Sequence, residues 1–285
     1  MNHAQRQVLL VVRPGKVEAQ LFAAQLAQGL KSQGFRIFTN STAEIDGAEP
    51  LEEVSGIEIA IVLGGDGTIL RAAELVRNFP IPILGINLGN VGFLAEVSQP
   101  KLTEIIAAIK ERHFHGEPRL VLRFDIYRQE EVVDSGWALN EISIERTGSQ
   151  MVELFVQIDG RPLSRWGCDA VICATPTGST AYAFSAGGPV LWPEVNALVL
   201  LPLAAHALFS RPMVVSPDST IAIDIESEEG LLLADGRRKF PLLQHDRIVI
   251  TKDSQRVHLA HIEDALFTDR LVAKFKLPIE GWRGE

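Results

Sequence analysis

The spacing of apolar residues changes character partway along the chain. In the first part, QVLLVV (residues 7–12) is a short apolar run, and Phe22, Leu26 and Leu30 then recur at four-residue steps, which predicts a helix over residues 16–32 that Gly34 ends. FRIF (35–38) is strand-like, and IEIAIVL (57–63) is apolar enough to be a strand buried on both faces, the mark of a parallel sheet. A helix over 68–78, a strand in IPILGIN (81–87) and a helix with Leu102, Ile105, Ile106 and Ile109 on its apolar face continue the alternation. Strands alternating with helices predict an α/β layer with an open, mostly parallel sheet.

Beyond HFHGEP (113–118), which reads as a linker, helical periodicity nearly disappears. LVLRFDIYR, VELFVQIDG, DAVICAT, STIAIDIE, LLLADGRRKF and DRIVITK are strand-like with polar turns between them. Asp159-Gly160 and Asp235-Gly236 read as hairpin turns, because glycine tolerates the positive φ these require. Near the end, Phe267, Leu271, Val272 and Phe275 return to helical spacing ahead of a proline and two glycines. The expected organisation is an α/β domain over residues 1–117, a β-rich domain over 118–262, and a tail over 263–285 that packs back on the N-terminal domain.

Composition narrows the function classes. With 46% hydrophobic and 22% charged residues the chain reads as a globular protein, and no apolar run approaches the roughly 20 residues that cross a bilayer. The N-terminal apolar stretch is too short for a signal peptide, so a cytoplasmic protein with no membrane partner is expected. The formal net charge of -9 argues against a nucleic-acid partner, while a small anionic substrate stays open if basic residues gather around its site. Cys168 and Cys173 read as buried thiols on opposite faces of one strand, and the histidines show no metal-ligand spacing, so no protein-built metal site is expected.

The chemistry concentrates in LGGDGTILRAAE (63–74), where a buried strand meets a helix at the carboxyl end of a parallel sheet. Gly64, Gly65 and Gly67 let the backbone come close to an anion, and the helix beginning near Thr68 adds the positive end of its dipole. The loop reads as a phosphate cradle. It lacks the Gly-Lys-Thr ending of a P-loop and the third glycine of a dinucleotide fingerprint, which argues against a dehydrogenase. Asp66 would repel phosphates unless it accepts a proton from an attacking hydroxyl or contacts a divalent cation, and both tasks belong to phosphoryl transfer. The bland alternative is a glycine-rich turn in which the aspartate caps its helix. Arg71, one turn on from Gly67, is a phosphate ligand or a solvated surface residue.

Two segments of the β-rich half bear on the substrate. In ALNEISIE, Asn140 and Glu141 set an amide beside a carboxylate, a pair able to hold an adenine edge and a ribose diol, or simply a polar strand end. ATPTGSTAYAFSAGGPVL (174–191) combines glycines, the hydroxyls of Thr175, Thr177, Ser179, Thr180 and Ser185, and the flat faces of Tyr182 and Phe184.

GGDGT resembles the signature of the superfamily that holds NAD kinases, diacylglycerol and sphingoid lipid kinases and, more distantly, phosphofructokinases. Together with Asn140-Glu141 and TPTGSTAYxxSAGGP, and with GCDA (167–170), DGRR (235–238) and FTDRLVAKF further on, it closely resembles the bacterial NAD kinase family over most of the chain. That resemblance implies transfer of a phosphoryl group from ATP, or from inorganic polyphosphate, to the 2'-hydroxyl of the adenosine ribose of NAD. A divalent cation, Mg²⁺ or Mn²⁺, is expected to arrive with ATP, because the chain has no preformed cluster of carboxylates or histidines. The resemblance also implies that Asp66 accepts the proton, with Gly67 and Arg71 beside it in the nucleotide site. Asn140 and Glu141 would hold the adenosine part of NAD, and Thr180, Ala181, Tyr182, Ala183, Phe184 and Ser185 would line the dinucleotide pocket. Asp169 would reach NAD bound to a neighbouring subunit of a homo-oligomer, a dimer or tetramer, and Phe93 would be an aromatic wall or a core residue. A GGDGT lipid kinase and a non-catalytic nucleotide sensor are the alternatives.

Overall fold

The computed structural model describes residues 5–41, 44–89, 92–95, 100–263 and 265–279; part of the GNVGFLAE loop, and Gly281 and Gly284 near the end, lie outside the described residues. The chain forms two compact units, Met1–Pro118 with Val257–Glu285, and Arg119–Arg256.

The first unit opens with β1 (Gln7–Val12), α1 (Val17–Ser32), β2 (Arg36–Thr39), β3 (Glu49–Pro50), β4 (Ile57–Leu63), α2 (Asp66–Val76), β5 (Ile83–Ile86), α3 (Leu102–Glu111) and β6 (His115–Arg119). Ala19, Ala23, Leu26, Ala27 and Leu30 form the buried face of α1, and Gly34 follows it at φ +87. Every residue of β4 except Glu58 is buried, as suits a central strand covered on both faces. The segment read as a linker contributes β6, because a polar stretch holding Gly116 and Pro118 carries no alternation to reveal a strand.

The second unit is built from β7 (Leu122–Arg128), β8 (Glu131–Ala138), β9 (Glu141–Glu145), β10 (Val152–Ile158), β11 (Arg161–Cys168) and β12 (Ala170–Ala174). A 3-10 turn (Thr177–Thr180) and a single helical turn, α4 (Tyr182–Ser185), come next. β13 (Leu198–Leu203), β14 (Met213–Val215), β15 (Ile221–Ile225), β16 (Glu229–Ala234), β17 (Arg238–Leu243) and β18 (Arg247–Lys252) complete it. They pair into two antiparallel sheets, ordered β11-β10-β15-β18-β7-β8 and β14-β13-β12-β9-β16-β17. One core joins the sheets, with Phe124, Ile126, Leu154 and Ile223 from the first meeting Ile142, Ile144, Val171 and Leu200 from the second. Both Asp-Gly pairs are hairpin turns with positive φ at each residue, +52 and +71 at Asp159-Gly160 and +53 and +63 at Asp235-Gly236.

The cysteines correct the sequence reading: Cys168 ends β11 and Cys173 lies in β12, so they belong to two strands and face one core. Both are unbridged, and burial pushes each thiol up to about 12.

The chain then returns to the first unit through β19 (Val257–His261), which pairs parallel with β5 through Leu259–Ile83 and Ala260–Leu84. The sheet order there is β3-β2-β1-β4-β5-β19-β6. The sequence reading kept β19 with the second domain, because an apolar strand at the end of a run of strands carries no mark of the sheet it joins. Helix α5 (Phe267–Phe275) follows in the same unit, its Phe267 and Phe275 rings 6.0 and 5.6 Å from that of Phe93. No helix among the described residues is long and apolar enough to cross a membrane.

Candidate active site

In the first unit the glycines of GGDGT have different tasks. A Cβ at Gly64 would stand 2.5 Å from the Thr68 hydroxyl oxygen, so the tight exit from β4 against buried Thr68 excludes a side chain. A Cβ at Gly65 or Gly67 would meet no atom within 4 Å, so their bareness leaves open space rather than relieving a clash. Gly65 is the N-cap of α2 and makes no side-chain cap, and Asp66 is the first helical residue. The Asp66 carboxylate turns instead to residues 93–95: Oδ2 accepts from the Phe93 amide at 3.0 Å and Oδ1 from the Leu94 amide at 3.1 Å. A Cβ at Gly92 would lie 2.2 Å from Asp66 Oδ1, so a glycine is required beside the carboxylate.

A cavity of about 320 Å³ opens at this loop, and Arg13, Lys16 and Lys274 line it together with Asp66, Asn87 and Gly89. Three cations and the positive end of α2 around one carboxylate suit a polyanion whose reacting end meets a proton acceptor. Arg71 does not share in this: the buried face of α2 takes Ile69, Leu70, Ala72, Ala73 and Val76, which leaves Arg71 exposed and outside the cavity lining. Phe93 is likewise no open aromatic wall, since its ring is buried against α5 and outside the cavity lining, and only its backbone amide reaches Asp66.

In the second unit, Asn140 and Glu141 stand at the break between β8 and β9. Asp235, in the β16–β17 turn, holds that break: Oδ1 accepts from the Asn140 amide at 2.6 Å and Oδ2 from the Leu139 amide at 3.2 Å and from Arg238 at 2.6 Å. The TPTG loop closes on the same point. The Thr175 amide donates to the Asn140 carbonyl at 2.9 Å, its hydroxyl donates to the Leu139 carbonyl at 2.6 Å, and a Cβ at Gly178 would fall 2.0 Å from the Asn140 carbonyl oxygen. Glu141 is buried, one carboxyl oxygen is without a hydrogen-bond partner, and burial together with neighbouring Asp235 pushes the group up to about 8. Leaving that buried oxygen unpaired is costly in the unliganded chain.

The following turns lie on the outer face of β12 and β13, where Ala183 is buried among Ile172, Ala174, Val199 and Leu201. Ala183 therefore supports the loop from below. Thr180, Ala181 and Tyr182 are half-buried and Phe184 and Ser185 exposed, with the Thr180 hydroxyl donating to the Thr177 carbonyl at 3.2 Å. Asp169, between β11 and β12, is ion-paired with Arg146 at 2.7 Å and is partly exposed.

Residues 41–114 match the ATP-NAD kinase N-terminal domain and residues 139–262 the ATP-NAD kinase C-terminal domain. The chain is 44% identical to an NAD kinase of Mycolicibacterium paratuberculosis over 100% of both chains, and 46% identical to one of Leifsonia xyli over 99% of this chain and 98% of that one. The chain belongs to the NAD kinase family. An NAD kinase of Archaeoglobus fulgidus, solved in complex with ATP, superposes with a TM-score of 0.72 at 29% identity over 93% of this chain and 98% of that one. The fold is shared also with a yeast NADH kinase complexed with NADH, at a TM-score of 0.88 and 20% identity over 100% of this chain and 91% of that one.

As an NAD kinase the chain is a phosphotransferase, which sets aside the lipid-kinase and sensor readings. Arg13, Lys16, Gly92 and Lys274 were missed in the sequence. A signal existed for the first two, since RPGK stands at the exit of the first strand of a parallel sheet, where ligands bind. Nothing local marks Gly92 or Lys274, which reach the loop only through the fold.

Proposed function

We propose that this NAD kinase moves the γ-phosphoryl group of ATP to the 2'-hydroxyl of the adenosine ribose of NAD, with Asp66 as proton acceptor. The bond from the γ-phosphorus to the bridging oxygen breaks, a bond to the 2'-oxygen forms, and the hydroxyl proton passes to the Asp66 carboxylate, giving NADP and ADP. The observation that carries the reading is a carboxylate fixed by two backbone amides in a cavity lined by Arg13, Lys16 and Lys274. Those cations answer phosphoanhydride charge, which ATP shares with inorganic polyphosphate, so both are donors in this account.

Asn140 and Glu141 take the adenosine part of NAD, the exposed edge of the Thr180–Ser185 turns meets the rest of the dinucleotide, and Asp169 serves NAD bound to a neighbouring subunit of a homo-oligomer. The enzyme works in the cytoplasm. Mg²⁺ keeps several waters and takes much of its coordination from substrate phosphates. The divalent cation therefore enters as part of the Mg²⁺–ATP substrate, held chiefly by the phosphates. The test is to incubate the protein with NAD, Mg²⁺ and either donor, and to locate the new phosphate by ³¹P NMR. A 2'-phosphate is expected, and no product with either donor under any divalent ion would reject the proposal.

A further inference from the structure

Helix α5 is anchored in an unusual way, because the one residue of the helix that is fully buried is a cation, Arg270. Burying a guanidinium is costly unless it is paired and hydrogen-bonded, and an apolar side chain would anchor an amphipathic helix at lower cost. The Arg270 Nη1 donates to the carbonyl of Ala95, and Nη2 donates to Nδ1 of buried His261 at 3.1 Å. A guanidinium only donates, so His261 accepts at Nδ1 and carries its proton on Nε2, which stands 3.1 Å from a carboxylate oxygen of Glu117. The chain Glu117–His261–Arg270 thus ends on Ala95, the residue next to the two amides that hold Asp66. The Phe93 ring packs on Phe267 and Phe275, to either side of Arg270 along α5. Residues 93–95 are therefore held by α5 at a ring and at a carbonyl.

We propose that Arg270 is a positioning residue for phosphoryl transfer, fixing residues 93–95 so that the Phe93 and Leu94 amides set the direction of the Asp66 carboxylate. The inference rests on the reading of Asp66 as the proton acceptor. Misdirecting a reacting group by about an ångström costs up to roughly 100-fold in rate, so Arg270→Gln should lower kcat about 10- to 100-fold while KM for NAD stays within about twofold. Arg270→Lys keeps a cation and a donor, and should recover part of the lost kcat even if Arg270→Gln folds poorly.

The deciding experiment is a double-mutant cycle on the full-length enzyme, with Asp66→Asn, Arg270→Lys, Arg270→Gln and the combined variants, checked for folding by thermal melts. If Arg270 acts through Asp66, its replacement costs less than about twofold once Asp66 is already Asn. Losses in kcat that multiply in full, or an Arg270→Lys enzyme with wild-type kcat, would overturn the inference while leaving Asp66 in place. Wild-type turnover in Asp66→Asn alone would instead remove the reading beneath it.

Discussion

At the scale of single residues, Glu141 holds the most unusual balance. Its carboxyl is raised to about 8 by burial and by Asp235, so it is largely protonated at pH 7 in the unliganded enzyme. A ribose diol donates hydrogen bonds that favour the ionised form, so NAD binding at pH 7 should release close to one proton. Calorimetry in buffers of different ionisation enthalpy checks this, and Glu141→Gln should abolish the release and raise KM for NAD about 5- to 150-fold, the equivalent of about 1 to 3 kcal/mol. An unchanged KM would reduce the pair to a strand end. The same shift has a sign for stability: the folded-state value is raised, so the unfolded chain gives up this proton first. Glu141 therefore weakens the fold progressively from about pH 4.5 to about pH 8, and Glu141→Gln should gain in Tm over wild type as pH rises through that window. The sequence could display an amide beside a carboxylate. It could not display the burial or the Asp235 neighbour, because these come from a turn almost a hundred residues away.

At the scale of elements, two strand-to-helix joints line the cavity at Asp66. The β4–α2 joint was legible because glycines and an aspartate between an apolar strand and a helix have few other uses. The β1–α1 joint was not read as a site, because Arg13 and Lys16 are ordinary surface residues until Gly64, Asp66 and Gly89 come to face them. Lys16→Gln should raise KM for both ATP and polyphosphate by about 10-fold, the scale of one charge-assisted hydrogen bond, with KM for NAD unchanged. Equal changes for donor and acceptor in steady-state kinetics would mean that Lys16 does not belong to the donor cavity. Gly92 tests the same cavity sterically. Gly92→Ala places a methyl carbon 2.2 Å from Asp66 Oδ1, which must move aside, so turnover should fall steeply in an enzyme that still melts cooperatively.

At the scale of the molecule, the α/β layer and the β-rich layer were legible from the change of hydrophobic period from helical to alternating. The return of the chain was not, since β19 enters the first sheet by parallel pairing with β5, a contact between segments that share no local signal. That return matters for function because it delivers α5, and with it Lys274 and Arg270, to the loop that holds Asp66. The net charge of -9 makes the local group of cations necessary for any polyphosphate donor. Titration calorimetry with Mg²⁺ alone should show no tight site, while activity follows the Mg²⁺–ATP concentration and disappears with chelator; stoichiometric tight binding to the protein would contradict this. Of all these measurements, the turnover of Asp66→Asn bears most directly on the mechanism, since it keeps the size of the side chain and removes only the proton acceptor. The expected result is a kcat lower by about 10²- to 10⁴-fold with an NAD dissociation constant within about twofold of wild type. Turnover within a few-fold of wild type would contradict the role given to Asp66.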